Sequence, residues 1–203
     1  MEKQKARIAV LVSGGGTNLQ AILDAEKAGV LKSGRVTLVI SDRTGAYALT
    51  RAEKAGVPGL EINKKACGSQ EAFEEKLLAA LSENRTDVIV LAGFLSILSR
   101  AFTARYERRI INVHPSLIPS FCGEGFYGLR VHETALARGV KVTGATVHFV
   151  NEIPDGGEII AQKAVAVEAG DTPEILQRRV MEQAEWIILP QSVEKVCAEL
   201  TGS

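Results

Sequence analysis

The sequence predicts an α/β fold, a doubly wound and mostly parallel sheet of the Rossmann-like kind with an antiparallel C-terminal strand pair. Three observations predict it: apolar strand signals alternate with amphipathic helices, a glycine-rich turn joins the first strand to the first helix, and two alternating segments flank a Pro-Asp-Gly-Gly turn. With 203 residues, of which 46% are hydrophobic and 24% charged, the chain can bury a single core. We expect one domain over residues 1–203.

The elements follow in order along the chain. The first strand, residues 7–13, is a run of apolar residues, and the glycines after it turn the chain into a helix at 17–28. The strand at 87–92 is almost uninterruptedly apolar, which predicts a position in the middle of the sheet. A last helix begins after the N-cap Thr172 and can run to about Leu189, where Pro190 can kink it. The remaining elements are strands at 35–41, 58–62, 109–113, 141–150 and 158–167, and helices at 46–55, 70–83, 97–106 and 129–138.

The charge balance excludes several classes of partner. Lys plus Arg and Asp plus Glu both number 24, so there is no net field to attract nucleic acid or an anionic membrane. The longest apolar runs, such as 8–12, are too short to span a bilayer, and residues 1–7 are polar and charged. We expect a cytoplasmic protein.

The cysteines and histidines do not form a metal-binding pattern. Cys67, Cys122 and Cys197 are widely spaced, which indicates reduced thiols, and Cys122 has no adjacent His or Arg to activate it. The three histidines lie on three different elements, so no metal site is expected. We interpret His132 as a structural residue of a surface helix and place His148 mid-strand, where it can line the crevice.

The segment Ser13 to Asn18, SGGGTN, follows a strand and opens a helix. Its free backbone N–H groups and the helix dipole favour an anion. The sixth position is Asn18 rather than Gly, and the segment lacks the Lys of a P-loop, so a monophosphate fits better than ATP or NAD. The alternative is a glycine turn that only joins strand to helix.

A second polar cluster ends a later strand. Asn112 and His114 are two residues apart on one strand face, about 6 to 7 Å along the chain, where an amide and an imidazole can stabilise the oxyanion of acyl transfer. Asp155 lies in a Pro-Asp-Gly-Gly turn, and beside His114 it would raise the imidazole pKa. The alternatives are a structural histidine and a turn-forming aspartate. Because strands of such a sheet end at one edge, we expect the loops at 13–18 and 112–128 to share one crevice.

Five segments together resemble the glycinamide ribonucleotide branch of the folate-dependent formyltransferases, and the resemblance runs from Arg7 to about Pro190. The segments are SGGGTN at 13–18, LAGFLSILS at 91–99, INVHPSLIPSF at 111–121, GATVHFV at 144–150 and PDGG at 154–157. The resemblance implies an enzyme that uses 10-formyltetrahydrofolate and the amine of glycinamide ribonucleotide in purine biosynthesis. Both are small molecules, and the enzyme would be a monomer or homodimer.

The resemblance also implies site residues. Asn112, His114 and Asp155 match the family's catalytic trio, and Glu185 matches a carboxylate that holds the glycinamide end of the acceptor. The ribonucleotide contacts fall on Gly15, Gly16, Thr17 and Asn18. The pterin pocket falls on Leu95, Ser96, Ile97 and Leu98, on Asn112, and on Asn151, Glu152, Ile153, Pro154 and Asp155.

Several positions depart from the family pattern. Some members have Met-Arg where this chain has Leu95-Ser96. Some have a basic residue where this chain has Gln70, and some have His where this chain has Trp186, the residue after Glu185. The loop at 121–132 is longer than in other members and is a candidate lid over the site.

Three other functions compete with transfer to a ribonucleotide. A formyltetrahydrofolate hydrolase would carry an N-terminal regulatory domain, for which Met1 to Lys5 leaves no room, and a methionyl-tRNA formyltransferase would carry a further C-terminal domain. A nonenzymatic nucleotide-binding module would lose one of Asn112, His114 and Asp155, whereas all three are present.

Overall fold

A computed structural model describes residues 4–202, and it confirms the predicted α/β fold. The strands are β1 Ala6–Val12, β2 Gly34–Ser41, β3 Gly59–Glu61, β4 Val88–Leu91, β5 Ile110–His114, β6 Val142–Phe149 and β7 Ile159–Ala166. The helices are α1 Thr17–Lys27, α2 Tyr47–Lys54, α3 Lys64–Cys67, α4 Gln70–Glu83, α5 Arg100–Arg105, α6 Leu129–Arg138, α7 Pro173–Val180 and α8 Trp186–Thr201. In the part of the chain that is described, no helix is long and apolar enough to cross a membrane.

The strands form one seven-stranded sheet in the order β3-β2-β1-β4-β5-β6-β7. The pairs from β3 to β5 are parallel, whereas β6 is antiparallel to both β5 and β7. β4 is the central strand, as its apolar run predicted. The antiparallel pair at the C-terminal side is also confirmed.

Alternation along the strands divides the core between the two faces of the sheet. In β1, Ile8, Val10 and Val12 pack with α1, α2, α7 and α8, whereas Ala9 and Leu11 pack with α4 and α5. All five of these side chains are fully buried. A strand covered on both faces needs apolar residues at every position, which is why the strand signal in the sequence was so clear.

The C-terminal helix differs from its prediction. The side chain of Thr172 caps α7 as expected, but the helix does not end near Leu189. After α7 it widens into one π-helical turn, Met181–Glu185, and continues as α8 to Thr201 with Pro190 inside it. Proline lacks one N–H donor, and the buried apolar residues of α8 compensate for that loss through packing.

Two smaller predictions need correction, and one short helix was missed. The helix predicted from residue 97 begins at Arg100, because the side chain of Ser99 accepts a hydrogen bond from Phe102 N and caps it there. The short helix α3 was not predicted. His132 is not on the surface: α6 turns Val131 and His132 inward, and His132 is completely buried.

Candidate active site

The candidate site lies at the carboxyl edge of the sheet. Because β1, β4 and β5 are adjacent and parallel, the loops that follow them meet at the same edge. Leu95 N, in the loop after β4, donates a 2.9 Å hydrogen bond to Ser13 Oγ, in the loop after β1. The strand order therefore places the glycine loop and the loop after β5 at the same edge of the sheet.

The glycine loop presents the start of α1 without a side-chain cap. Gly16 is the N-cap residue with φ 73°, and no acidic residue lies in the first turn of α1. A Cβ atom on Gly16 would lie 2.7 Å from Ala48 Cβ, so α1 and α2 approach too closely for any larger residue. The uncapped N–H groups are directed to the loop side, where an anion would be stabilised.

Gly16→Ala tests this packing. We expect a loss of about 1 to 3 kcal/mol in the free energy of unfolding, because the alanine combines a left-handed φ with a steric clash. Urea unfolding measures it. Gly14→Ala is the matched control, since a Cβ atom there has nothing within 4 Å and Gly14 has no positive φ. Equal stability of the two variants would contradict the prediction.

Asn18 and Glu185, both predicted to contact the ribonucleotide, meet across 167 positions of sequence. Asn18 Nδ2 donates a 2.8 Å hydrogen bond to Glu185 Oε2, whereas Asn18 Oδ1 is buried without a partner in the described chain. Glu185 ends the π-helical turn and is 5% exposed. Its burial raises the carboxyl pKa to about 7, against the opposing effect of the Asn18 hydrogen bond. A π-helical turn often marks a functional position.

Glu185→Gln should change how stability depends on pH. The pKa of the Glu185 carboxyl is about 7 in the folded protein and near 4.5 in the unfolded chain. Between these two pH values the folded protein keeps a proton that the unfolded chain has released. The free energy of unfolding of the wild type should therefore fall by about 2 to 3 kcal/mol as pH rises from 4.5 to 7. Glu185→Gln has no carboxyl to titrate, so its free energy of unfolding should not show this fall. Chemical unfolding at pH 5 and pH 8 measures this, with the exposed Glu182→Gln as control. A stability difference independent of pH would refute it.

The predicted catalytic trio is assembled by β5, β6 and the turn after β6. Asn112 and His114 lie on one face of β5, and Asn112 pairs with His148 of the neighbouring strand β6. Asp155 follows in the turn after β6, with its Oδ2 3.3 Å from His114 Nδ1. The turn is held in place by Gly157, where a Cβ atom would lie 1.8 Å from Phe149 O. The three side chains thus converge.

The loop after β5 fixes the ring of His114. Its Nε2 lies 2.8 Å from Phe121 O, and a carbonyl oxygen can only accept, so Nε2 carries a proton. Nδ1 is then the nitrogen that faces Asp155. Burial lowers the pKa of His114 below its usual value, although the charge of Asp155 and the hydrogen bond to Phe121 O raise it. The His114 ring is therefore oriented by a main-chain carbonyl of the loop after β5. The sequence singled out that loop only because it is long.

Asp155 is stabilised in its ionised form. Burial alone would raise its pKa, but hydrogen bonding from His148, the charge of His114 and the N–H of Gly123 together lower it. Gly123 N lies 2.9 Å from Asp155 Oδ2. With φ 55°, Asp155 adopts a left-handed conformation that Asp and Asn tolerate better than most residues. An anionic partner for His114 is thus built into the turn.

His148 joins this cluster, as its mid-strand position suggested. Its Nδ1 lies 2.7 Å from Phe149 O, which requires a proton on Nδ1. Its Nε2 lies 3.1 Å from Asn112 Nδ2 and 3.5 Å from Asp155 Oδ1. His148 therefore lies between Asn112 and Asp155 and contacts both.

The first segment predicted to form the pterin pocket is the loop after β4, and the second follows β6, which is antiparallel to β5, and reaches the site through Asp155. Leu98 is 5% exposed and packs into the core around α4, so only its main chain can reach a ligand. Leu95 and Ile97 are exposed, and Ser96 Oγ donates to Asp42 Oδ2 at 2.6 Å. In the second segment, residues 151–155, Asn151 Oδ1 accepts a hydrogen bond from Ile153 N.

Arg51 is a candidate site residue that the sequence did not reveal. Its Nε donates to Gly15 O at 2.8 Å and one terminal nitrogen donates to Gln20 Oε1 at 3.1 Å. The guanidinium thus lies beside the glycine loop, and it lines a cavity of about 460 Å³ together with Thr17 and Trp186. No local pattern could mark it, because Arg51 is 36 residues from Gly15 in the chain.

His132 lies near the trio without hydrogen bonds of its own. Neither ring nitrogen has a partner within the described chain, and burial lowers its pKa to about 4, with a smaller contribution from His114. His132 is therefore neutral at physiological pH.

Over residues 4–202, no group of three or more His, Cys, Asp or Glu side chains could hold a metal ion.

Comparison with known proteins assigns the chain to a family. Residues 6–193 match the family described as formyl transferase. The chain is 42% identical to phosphoribosylglycinamide formyltransferase of Escherichia coli over 176 residues, 87% of this chain and 80% of that protein. It is 43% identical over 197 residues, 97% of its length, to the human trifunctional purine biosynthetic protein adenosine-3, and spans 19% of it.

Solved structures give the same result. The crystal structure of glycinamide ribonucleotide transformylase 1 from Symbiobacterium toebii superimposes with a TM-score of 0.89 at 43% identity, covering 96% of this chain and 89% of that one. The phosphoribosylglycinamide formyltransferase of Brucella melitensis gives a TM-score of 0.87 at 41% identity, covering 96% and 97%. The family match over nearly the whole chain, and relatives well above 30% identity, show that the chain belongs to the formyl transferase family.

Proposed function

We propose that the chain transfers the formyl group of 10-formyltetrahydrofolate to the amine of 5-phosphoribosylglycinamide, giving formylglycinamide ribonucleotide and tetrahydrofolate. The observation that carries the proposal is the convergence of Asn112, His114 and Asp155 at the sheet edge that also bears the glycine loop. The relatives named phosphoribosylglycinamide formyltransferase support this acceptor. The reaction is a step of de novo purine biosynthesis, and we place it in the cytoplasm.

The glycine loop holds the acceptor. The N–H groups of Gly15, Gly16, Thr17 and Asn18 bind its phosphate, supported by the dipole of α1. Arg51 adds a positive charge beside the same loop. Glu185 accepts a hydrogen bond from the glycinamide amine, and Asn18 keeps the carboxylate directed to that position.

The loops after β4 and β6 hold the donor. Main-chain groups of residues 95–98 and 151–155 bind the pterin edge, which brings the formyl group toward β5. Asn112 donates its free N–H to the formyl oxygen. In its protonated form His114 donates from Nδ1, because its Nε2–H is held by Phe121 O.

Direct transfer then needs one tetrahedral intermediate. The acceptor nitrogen forms a bond to the formyl carbon, and the carbonyl π pair becomes an oxyanion that Asn112 and His114 stabilise. Asp155 supports the positive charge on His114. When the bond from the carbon to N10 breaks, the proton lost by the acceptor amine moves to N10, and tetrahydrofolate leaves.

The proposed reaction is tested by following the loss of 10-formyltetrahydrofolate spectroscopically, with and without 5-phosphoribosylglycinamide. We expect turnover only when the ribonucleotide is present. Equal turnover without it would instead identify a hydrolase, in which water replaces the amine. Size-exclusion chromatography during the same work distinguishes a monomer from a homodimer.

A further inference from the structure

We propose that Glu74, a buried carboxylate of α4, is a positioning residue for the folate donor, because it holds the main chain of residues 96–98 in the conformation that binds the pterin. It acts together with Gln70, on the same helix, and with Ser99, at the end of the loop after β4. We call these three side chains the Glu74 clamp. The inference rests on the proposed function, in which the loop after β4 binds the donor.

The clamp joins α4 to the loop after β4 through one carboxylate. Glu74 is 7% exposed, and its Oε1 accepts hydrogen bonds from Gln70 Nε2 and from Ser99 N, both at 2.6 Å. Its Oε2 accepts a hydrogen bond from Ser99 Oγ. Gln70 lies one turn before Glu74 on the same helix face, and its Nε2 also donates to Ile97 O at 3.0 Å. The clamp therefore holds the loop at Ile97 O and at Ser99.

The Glu74 carboxylate has no cation to compensate its burial. Among residues 4–202, no Lys, Arg or His nitrogen lies within 4 Å of it. A buried carboxylate loses its hydration, and direct donors must offset that loss. Gln70 and Ser99 supply the three donors. An apolar side chain would fill the same space without the desolvation penalty, so what the carboxylate adds is the position that it imposes on the loop.

The clamp holds a segment whose main-chain donors are free. Within residues 4–202, the N–H groups of Ser96, Ile97 and Leu98 have no hydrogen-bond partner. On the other side of the segment, Leu95 N donates to Ser13 Oγ. The segment is thus fixed at both ends, with its free N–H groups between them. Such a preorganised segment binds a ligand more tightly, because less conformational freedom is lost on binding.

Glu74→Gln tests the inference by isothermal titration calorimetry with tetrahydrofolate, the unreactive product. Glutamine keeps the size of the side chain, but its NH₂ group meets a donor where a carboxylate oxygen stood, so at least one clamp contact is lost. We expect the Kd for tetrahydrofolate to rise about 10-fold to 100-fold, because the binding groups of the loop are displaced. The Kd for 5-phosphoribosylglycinamide should keep its wild-type value, since Leu95 N remains bonded to Ser13 Oγ.

Steady-state kinetics gives a second readout that a purely structural role would not move. The clamp does not contact Asn112, His114 or Asp155, so kcat at saturating donor should stay near the wild-type value. The KM of the donor should rise with its Kd. Loss of stability alone would lower the amount of active enzyme, and thus the apparent kcat, without changing the KM of either substrate.

Two matched comparisons separate positioning from loss of stability. Glu75→Gln changes the exposed carboxylate next to Glu74 and should leave the Kd for tetrahydrofolate unchanged. Ser99→Ala and Thr172→Ala each remove a hydroxyl that caps a helix, α5 or α7, so both should lower stability to a similar extent. Of these two, only Ser99→Ala also removes a clamp contact, and it should raise the Kd for tetrahydrofolate about threefold to tenfold.

A wild-type Kd for tetrahydrofolate in both Glu74→Gln and Ser99→Ala would overturn the inference, and so would an equal rise in Thr172→Ala. If Glu74→Gln does not fold, Ser99→Ala against Thr172→Ala decides. Failure of the proposed function would appear differently, as tetrahydrofolate binding that depends on the clamp without turnover of 5-phosphoribosylglycinamide.

Discussion

Replacing His114 by alanine should lower kcat by about two to four orders of magnitude. The change removes the Nδ1–H that stabilises the oxyanion and leaves the Asp155 carboxylate without its cationic partner. Binding of both substrates should change little, because His114 acts on the charge that develops in the transition state rather than on groups present in the ground state. Steady-state kinetics with both substrates varied gives kcat and KM separately.

The control for His114→Ala is Ser120→Ala in the same loop. Ser120 is exposed, and its main-chain carbonyl rather than its hydroxyl accepts the hydrogen bond from Ser116 Oγ. We expect wild-type kcat for this variant. A His114→Ala enzyme with turnover near the wild-type rate and an intact fold would remove His114 from the reaction.

Replacing Asp155 by asparagine should lower kcat by about two to three orders of magnitude, because His114 loses the anion that stabilises its protonated form. Asparagine suits the left-handed backbone at this position, and its oxygen can still accept from Gly123 N. The turn should therefore keep its conformation, and circular dichroism and the unfolding midpoint check this.

The pH profile gives Asp155→Asn a second readout. Without the carboxylate, the pKa of His114 should fall further below its usual value, since the Asp155 charge is what opposes the effect of burial. The loss of kcat at high pH, where His114 loses its proton, should therefore begin at a lower pH than in the wild type. If the variant instead loses activity with an unchanged profile, Asp155 acts on the substrate and not through His114.

The fold was predictable because its signals are local. The run at 88–91 and the glycines after β1 determine a buried strand and a strand-to-helix turn within a few residues. The prediction failed where packing outweighs local preference. Pro190 continues α8 because buried neighbours stabilise the helix around it, and His132 is buried because α6 packs by the face that carries it.

The site was predictable where chemistry and periodicity coincide, as they do for Asn112 and His114 on one face of β5. Most of the contacts around them were not, because they involve backbone atoms of other segments. Phe121 O holds His114, Gly123 N holds Asp155, and Arg51 reaches Gly15. Main-chain donors and acceptors exist at every residue, so no sequence pattern marks the ones that a fold uses.

The central claim is direct formyl transfer at the trio, and the most direct test uses a donor labelled with ¹³C in its formyl group. The enzyme is mixed with the labelled donor and 5-phosphoribosylglycinamide, and ¹³C NMR follows the label. The account predicts that the label moves to the amide of the ribonucleotide, with no labelled formate and no label retained on the protein. Labelled formate released without the acceptor, or a formylated protein side chain that forms before the product, would contradict it.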